Sequence, residues 1–396
     1  MLWLSAIWPM VPICSYILVQ LVKFLIWYLI YTLGAIALRI LFKLRYEVYN
    51  EDLKYKQAEC KNRIVIVTGA TSGIGLAATN HFYTKGFVVV GCFYSKNEPG
   101  YEKLETRTRV ADSRYRSMYL VELDVKSSES IENCFKQVKA IMADRPELQL
   151  HALVNVAGVG YFHKFQWISR DLIRNTVETN LLGPMMMTRQ FLHLLIGNPG
   201  SRVVNVSSPM AYIPVEYNSV YGATKAGLAQ FTSALEADTL RYGVKTVTIY
   251  PGNLIQNTSI LNSSMATKLA KIIPELNDDE KRIYKNELDD HRKDFELLET
   301  VLNEPDDTKL SHESNSAKAL LFVSGSVDGK ELHLSESFMQ SFDNSIRLKD
   351  PRREMFAGNS FFNIVMGSSL ELVSRSLLRD AFLILMRNRL VLFHLW

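Results

Sequence analysis

The chain is poor in cysteine: Cys14, Cys60, Cys92 and Cys134 are its only four in 396 residues, and none stands in a CxxC or Cys/His spacing. That arrangement offers neither a disulfide framework nor a zinc site, so free thiols and no metal are expected. Charge of one sign is also scarce. Lys and Arg number 45 against 41 Asp and Glu, a net +4 with the signs interspersed, which gives nucleic-acid binding little electrostatic support. No internal repeat is visible. Hydrophobic residues, by contrast, make up 47%, enough for a packed core and foreign to a disordered chain.

Charge is missing altogether from residues 2–22 and, after Lys23, from 24–38. Each run approaches the roughly 20 residues needed to cross a bilayer. The start Met-Leu-Trp lacks the basic head of a cleavable signal, and the apolar stretch outlasts one, so a retained membrane anchor over 1–45 is expected. Trp3, Trp8, Trp27, Tyr28 and Tyr31 suit membrane–water interfaces. Arg39, Lys43, Arg45, Lys54 and Lys56 would keep the following flank cytosolic. The number of crossings stays open. Asn257-Thr-Ser and Asn262-Ser-Ser would accept glycans only in a lumenal domain.

From residue 63 onward, short β-rich runs alternate with longer helical patterns. Strands are predicted at 64–68, 88–92, 118–122, 152–155, 203–207 and 247–250, with helices at 74–85, 129–143, 171–196 and 220–242. This alternation predicts an α/β fold, a doubly wound parallel sheet of Rossmann-like type over 60–330. A charged helical insertion at 255–316 reads either as a lid over a ligand crevice or as a solvated decoration. The extension 331–396 mixes apolar residues with Arg375, Arg379, Arg387 and Arg389, which suits a helix on a membrane surface or one packed on the domain.

Directly after the first strand come Thr68-Gly69-Ala-Thr-Ser72-Gly73-Ile74-Gly75. Between a strand and a helix, such a turn lets backbone N–H groups face a pyrophosphate where larger side chains would obstruct it. Tyr221-Gly-Ala-Thr-Lys225 puts a phenol and an ammonium on one helical face, where the positive charge would lower the tyrosine pKa. By itself that pair suits an ordinary amphipathic helix. Ser207-Ser208 ends a strand, with Ser208 thirteen residues before Tyr221.

Together these residues resemble the short-chain dehydrogenase/reductase family, marked by a TGxxxGxG turn, an NNAG segment, a strand-end serine and YxxxK. The resemblance covers 63 to about 258 and implies an enzyme that interconverts an alcohol and a carbonyl with NAD(P). It implies that Tyr221 is the catalytic acid/base, that Ser208 positions the substrate oxygen, and that Lys225 binds the nicotinamide ribose. Asn180, in Thr179-Asn-Leu-Leu-Gly183, matches the asparagine of the family's proton relay. Cofactor contacts fall on Gly69, Ser72, Gly73, Ile74, Gly75, Asp124, Asn155, Ala157, Gly158, Tyr221, Lys225, Pro251 and Gly252.

Three departures stand out. Val156 replaces the second Asn of NNAG, the threonine expected just after Pro251-Gly252 is displaced to Thr258, and Phe93 sits where NAD users often carry an acid. No Arg or Lys of the NADP type stands in the glycine turn; the nearest base is Lys96. NAD(H) is therefore preferred over NADP(H) by resemblance to the branch of retinol, 17β-hydroxysteroid and 3-hydroxybutyrate dehydrogenases. An anchored enzyme of that branch is expected at the endoplasmic reticulum membrane with its catalytic domain facing the cytosol, acting on a lipophilic steroid or retinoid. The alternatives are a 3-hydroxybutyrate dehydrogenase, which implies a mitochondrial membrane and cationic groups such as His291 and Arg292, and a nucleotide-binding sensor without turnover. Oligomeric state stays open, a homo-oligomer included.

Overall fold

Six segments rich in β-branched and other apolar residues are laid side by side as parallel strands. The computed structural model describes residues 57–110, 118–198, 200–212, 217–251 and 276–286, with 288, 289, 293, 343, 345–347 and 354–357. The expected anchor, the glycosylation sequons, Gly252 and Thr258 lie outside these residues, as do most of the insertion and of the C-terminal extension. Among the described residues no helix is long and apolar enough to cross a membrane.

The order of elements is β1 (Arg63–Thr68), α1 (Gly73–Thr84), β2 (Val88–Phe93), α2 (Tyr101–Val110), β3 (Met118–Glu122), α3 (Ser128–Asp144), β4 (Gln149–Asn155), α4 (Arg170–Val177), α5 (Gly183–Ile196), β5 (Arg202–Val206), α6 (Ser219–Thr239), β6 (Lys245–Pro251), α7 (Asp278–Ile283) and β7 (Glu354–Ala357). In space the strands run β3-β2-β1-β4-β5-β6-β7, every neighbouring pair parallel. The crossover from the β1–β3 half to the β4–β7 half falls between β1 and β4, which opens a crevice at their carboxyl ends. All six predicted strands are present. The helix α2, a short helical turn at Gln57–Cys60 and β7 were not predicted, and the pairing of β7 with β6 takes a strand from beyond residue 330 into the sheet.

Helices cover both faces, which explains why the strands read as near-continuous apolar runs. On one face Ile64, Ile66, Val90 and Leu153 pack with Ile131, Cys134 and Val138 of α3 and with Met187, Phe191 and Leu195 of α5. On the other, Val65, Val67, Val89 and Val154 meet Ala78 and Phe82 of α1 together with Ile346. Cys92 and Cys134, expected as free thiols, are buried and meet across the first interface with Sγ atoms 3.8 Å apart. The segment around Ile346 is tied down by polar contacts: the buried Arg202 guanidinium donates to the Ser345 carbonyl at 3.1 Å, and His151 Nε2 lies 3.0 Å from that of Ile346. Burial and the neighbouring Arg202 and Arg63 hold the His151 pKa well below its usual value, so the ring is neutral there.

The stretch 171–196, expected as one helix, is broken. A π-helical turn, Glu178–Leu182, separates α4 from α5, with the Gly183 N–H donating to the Glu178 carbonyl. Pro184 is the physical reason, because it has no N–H to give to the carbonyl of Asn180 four residues back. Gly183 adds a close approach, since a Cβ there would come within 2.8 Å of Val125 Cγ2.

Phe191 is fully buried and meets Phe135 edge-on with ring centroids 5.5 Å apart. Phe191→Ala should destabilise the fold by about 3–5 kcal/mol, to be read from denaturant unfolding of the detergent-solubilised protein. A loss under about 1 kcal/mol would mean that α5 is not packed as described.

Candidate active site

The glycine turn carries its backbone through conformations that side chains resist, with φ +64° at Gly69 and +45° at Gly73. Gly75 is required by closeness: a Cβ there would lie 1.9 Å from the Gly69 carbonyl oxygen, while one on Gly69 would lie 3.0 Å from Ala157 Cα. The α1 N-terminus is thus pressed onto the ends of β1 and β4. Thr68 fastens the same junction, its hydroxyl oxygen accepting the N–H groups of Val156 and Ala157, both at 3.0 Å. Ser72 precedes α1 in extended conformation without a side-chain capping bond, whereas Ser127 and Ser169 cap α3 and α4. The first N–H groups of α1 therefore have no side-chain cap and face the crevice as a pyrophosphate would need.

At the end of β4, the Asn155 amide donates to Asn205 Oδ1 at 2.8 Å, leaving the buried Asn155 Oδ1 without a partner among the described residues. A buried acceptor of this kind calls for a donor from a bound molecule. Gly158 lies between two further expected residues, since a Cβ on it would be 3.3 Å from Asn180 Oδ1 and 3.5 Å from Lys225 Nζ. These observations fit a dinucleotide laid across the carboxyl ends of β1 and β4.

Asn180 sits in the π turn, fully buried. Its side chain is occupied, accepting from Val159 N–H and donating to the Val159 carbonyl, both at 2.8 Å. Pro184 has no N–H to offer the Asn180 main-chain carbonyl from the i+4 position. Along α6, Tyr221 and Lys225 occupy one face as the i, i+4 spacing predicts. The Lys225 ammonium donates to the Val206 carbonyl at 2.9 Å and lies 5.6 Å from the Tyr221 ring centroid. The adjacent serines separate cleanly: Ser207 donates to the Lys225 carbonyl at 2.8 Å, while the Ser208 hydroxyl accepts from the Met210 N–H at 3.3 Å and acts on the Tyr221 phenol.

The electrostatics differ from the sequence expectation. Burial pushes the Tyr221 phenol up to about 12, with the Ser208 hydrogen bond acting the other way. Burial also pulls the Lys225 ammonium down to about 8. Desolvation penalises both charged forms, so it outweighs the ammonium's expected lowering of the phenol.

Of the other expected residues, Asp124 follows β3 and accepts from Lys126 N–H at 2.9 Å, and Pro251 ends β6. Ile74 lies in the first turn of α1. Phe162 was not anticipated. It is buried with its ring centroid 5.3 Å from that of Tyr221, and no spacing rule marked it. Close by, Lys164 Nζ lies 5.6 Å from the Trp167 ring centroid and 6.0 Å from that of Tyr284, so the described middle part of the insertion packs beside the segment that carries Phe162. Among the described residues no three His, Cys, Asp or Glu side chains converge as metal ligands would.

A parallel sheet with a glycine turn at its crossover and a Ser, Tyr and Lys set at its carboxyl edge defines a dinucleotide-binding fold equipped for proton exchange. The chain belongs to the short chain dehydrogenase family, whose sequence profile matches residues 63–269. The mitochondrial D-beta-hydroxybutyrate dehydrogenase of Rattus norvegicus is 33% identical over 211 residues, 53% of this chain and 59% of that protein. Estradiol 17-beta-dehydrogenase 2 of Rattus norvegicus is 33% identical over 196 residues, 49% of each chain. The 17-beta-hydroxysteroid dehydrogenase type 6 of Bos taurus is 32% identical over 194 residues, 48% of this chain and 57% of that protein. The chain thus spans about half of the length of the curated relatives it matches. They lie in the branch that the motifs resemble, and NAD(P) is the family's cofactor.

Two outcomes follow from this geometry. Gly75→Ala should abolish NADH and NADPH binding, measured by nucleotide fluorescence, whereas Gly197→Ala, whose Cβ would meet nothing closer than 3.8 Å, should leave binding intact. The second concerns pH. Because the Lys225 pKa falls from 10.5 to about 8 on folding, the unfolded chain holds a proton between those values that the folded one has released, so stability rises with pH across that window. Relative to Lys225→Met, the wild type should gain on the order of 3 kcal/mol from pH 7 to pH 10, seen as a widening difference in Tm. A pH-independent difference would mean that Lys225 keeps an ordinary pKa.

Proposed function

We propose that the protein is an NAD(P)-dependent oxidoreductase interconverting an alcohol and its carbonyl on a lipophilic substrate, a steroid or retinoid, with NAD(H) preferred. The observation that carries this reading is the apolar neighbour of the phenol: buried Phe162 stands against Tyr221 with ring centroids 5.3 Å apart, beside the Lys225 ammonium assigned to the nicotinamide ribose. An apolar wall suits a hydrophobic ring system, and a small carboxylate would need a charge-assisted hydrogen bond. Similarity to the estradiol and 17-beta-hydroxysteroid dehydrogenases points the same way.

In this reading Ser208 and Tyr221 hold the substrate oxygen between two hydroxyls. Tyr221 takes the alcohol proton in oxidation and returns one in reduction. Lys225 binds the nicotinamide ribose, and the Asn180 carbonyl together with Lys225 passes the proton toward solvent. Gly69, Ser72, Gly73, Ile74 and Gly75 hold the pyrophosphate, Asp124 stands beside the adenine, and Asn155, Ala157, Gly158, Pro251 and Gly252 line the rest of the cofactor. The bound dinucleotide supplies the hydride chemistry. The catalytic domain, from about residue 60, is carried on the anchor over 1–45 at the endoplasmic reticulum membrane, facing the cytosol.

A second reading, oxidation of a 3-hydroxy acid at a mitochondrial membrane, draws on the equal similarity to D-beta-hydroxybutyrate dehydrogenase. The test is NADH and NADPH fluorescence during incubation of the detergent-solubilised protein with steroids, retinoids and 3-hydroxybutyrate, each as alcohol and carbonyl. Turnover of a lipid is expected. Turnover of 3-hydroxybutyrate alone would favour the second reading, and nucleotide binding without any turnover a sensor. Tyr221→Phe should lower turnover by about a thousandfold while binding nucleotide as the wild type does; retained activity would remove Tyr221 from the chemistry.

A further inference from the structure

We propose that Glu98 is the residue that selects NAD(H), accepting a hydrogen bond from the adenosine ribose 2′-hydroxyl and repelling a 2′-phosphate; this rests on the dinucleotide reading of the glycine turn. In doubly wound folds an acid about 20 residues beyond the glycine turn commonly binds that hydroxyl. Here the end of β2 offers Phe93, which cannot do so. Its ring is turned into the protein, 4% exposed, with its centroid 4.7 Å from that of Tyr101.

The chain then doubles back. The Gly100 N–H donates to the Thr71 carbonyl at 2.9 Å, and a Cβ on Gly100 would lie 2.2 Å from that oxygen, so the loop 94–100 lies directly on the glycine turn. Glu98 is the residue this return delivers. One carboxylate oxygen, Oε2, accepts from the Thr71 hydroxyl and from the Tyr94 N–H, the latter at 3.3 Å. The other, Oε1, has no described hydrogen-bond partner. A carboxylate is thereby fixed between the turn that faces the pyrophosphate and the carboxyl end of β2, which is where the adjoining ribose falls. The acid missing at position 93 is supplied by a loop five residues further on.

A 2′-phosphate brings about two negative charges to a carboxylate that its two donors hold in place. Lys96 is the one cation of the loop 94–100 and is exposed. Thr71 therefore does for Glu98 what strand geometry does for an acid at the end of β2: it aims the carboxylate.

The experiment is titration of the detergent-solubilised full-length protein with NADH and with NADPH, followed by nucleotide fluorescence, with thermal melts to verify folding. The wild type should bind NADH at least about tenfold more tightly than NADPH. Glu98→Gln keeps both acceptor bonds and removes the charge, so NADPH affinity should rise about tenfold while NADH affinity changes by less than about threefold. Thr71→Val keeps the charge but frees the side chain, and should lower the discrimination by a smaller factor. An unchanged affinity ratio in folded Glu98→Gln would overturn the proposal and leave the dinucleotide reading intact, as would a wild type that prefers NADPH, which would hand the 2′-position to Lys96. Failure of the wild type to bind either nucleotide would remove the dinucleotide reading, and the role of Glu98 with it.

Discussion

The carbonyl oxygen of Gly69 stands where any side chain on residue 75 would have to begin, so the approach requires glycine at that position. Everything at the carboxyl edge of the sheet is placed by that approach. It seats α1 over β1, and Thr68 then draws in the end of β4 by accepting two of its N–H groups. With β1 and β4 clamped, Asn155, Ala157 and Gly158 stand beside the turn, and Gly158 leaves room for Asn180 and Lys225. The site is assembled from backbone proximity first and from functional groups second.

The functional groups are costly to keep there. Tyr221 and Lys225 are both almost fully buried, and desolvation moves both away from their charged forms. A buried ammonium whose hydrogen-bond partner among the described residues is a backbone carbonyl is a poor choice for stability and a useful one for chemistry, since its proton is held loosely near neutral pH. The two apolar interfaces on either face of the sheet offset this cost, and they do so away from the crevice, with α3, α5 and α1 as the main contributors.

Much of this was legible in the sequence where a residue type has one physical use. Period and β-branching marked the six strands, because burial on both faces leaves the same apolar signature in each. Gly69, Gly73 and Gly75 were legible because only glycine satisfies a positive φ or a near-contact, and the Tyr221 and Lys225 pair because helical spacing fixes a face. The π turn was also written in the chain, as Gly183-Pro184, but periodicity alone carried the reading through it. Glu98, Phe162 and the pairing of β7 were not legible. Each depends on where a loop or distant segment returns, and no local spacing encodes that. The lowering of the tyrosine pKa by Lys225 failed for a similar reason: spacing reports proximity, while burial, which decided the direction, is a property of the folded state.

Strand β7 has a consequence for how the molecule is made. Its residues, Glu354–Ala357, pair with Thr248–Pro251 of β6, so a long stretch of chain must be synthesised between the two partners. Until then β6 is an open edge, with unpaired backbone groups of the kind that recruit strands from other chains. The entropic cost of closing so long a loop grows only slowly with its length, so the late strand adds little thermodynamic burden. The delay is kinetic. A nascent chain that stalls or is cut between the two strands would expose that edge for as long as the interruption lasts, making the interval a window for aggregation or chaperone capture during biosynthesis.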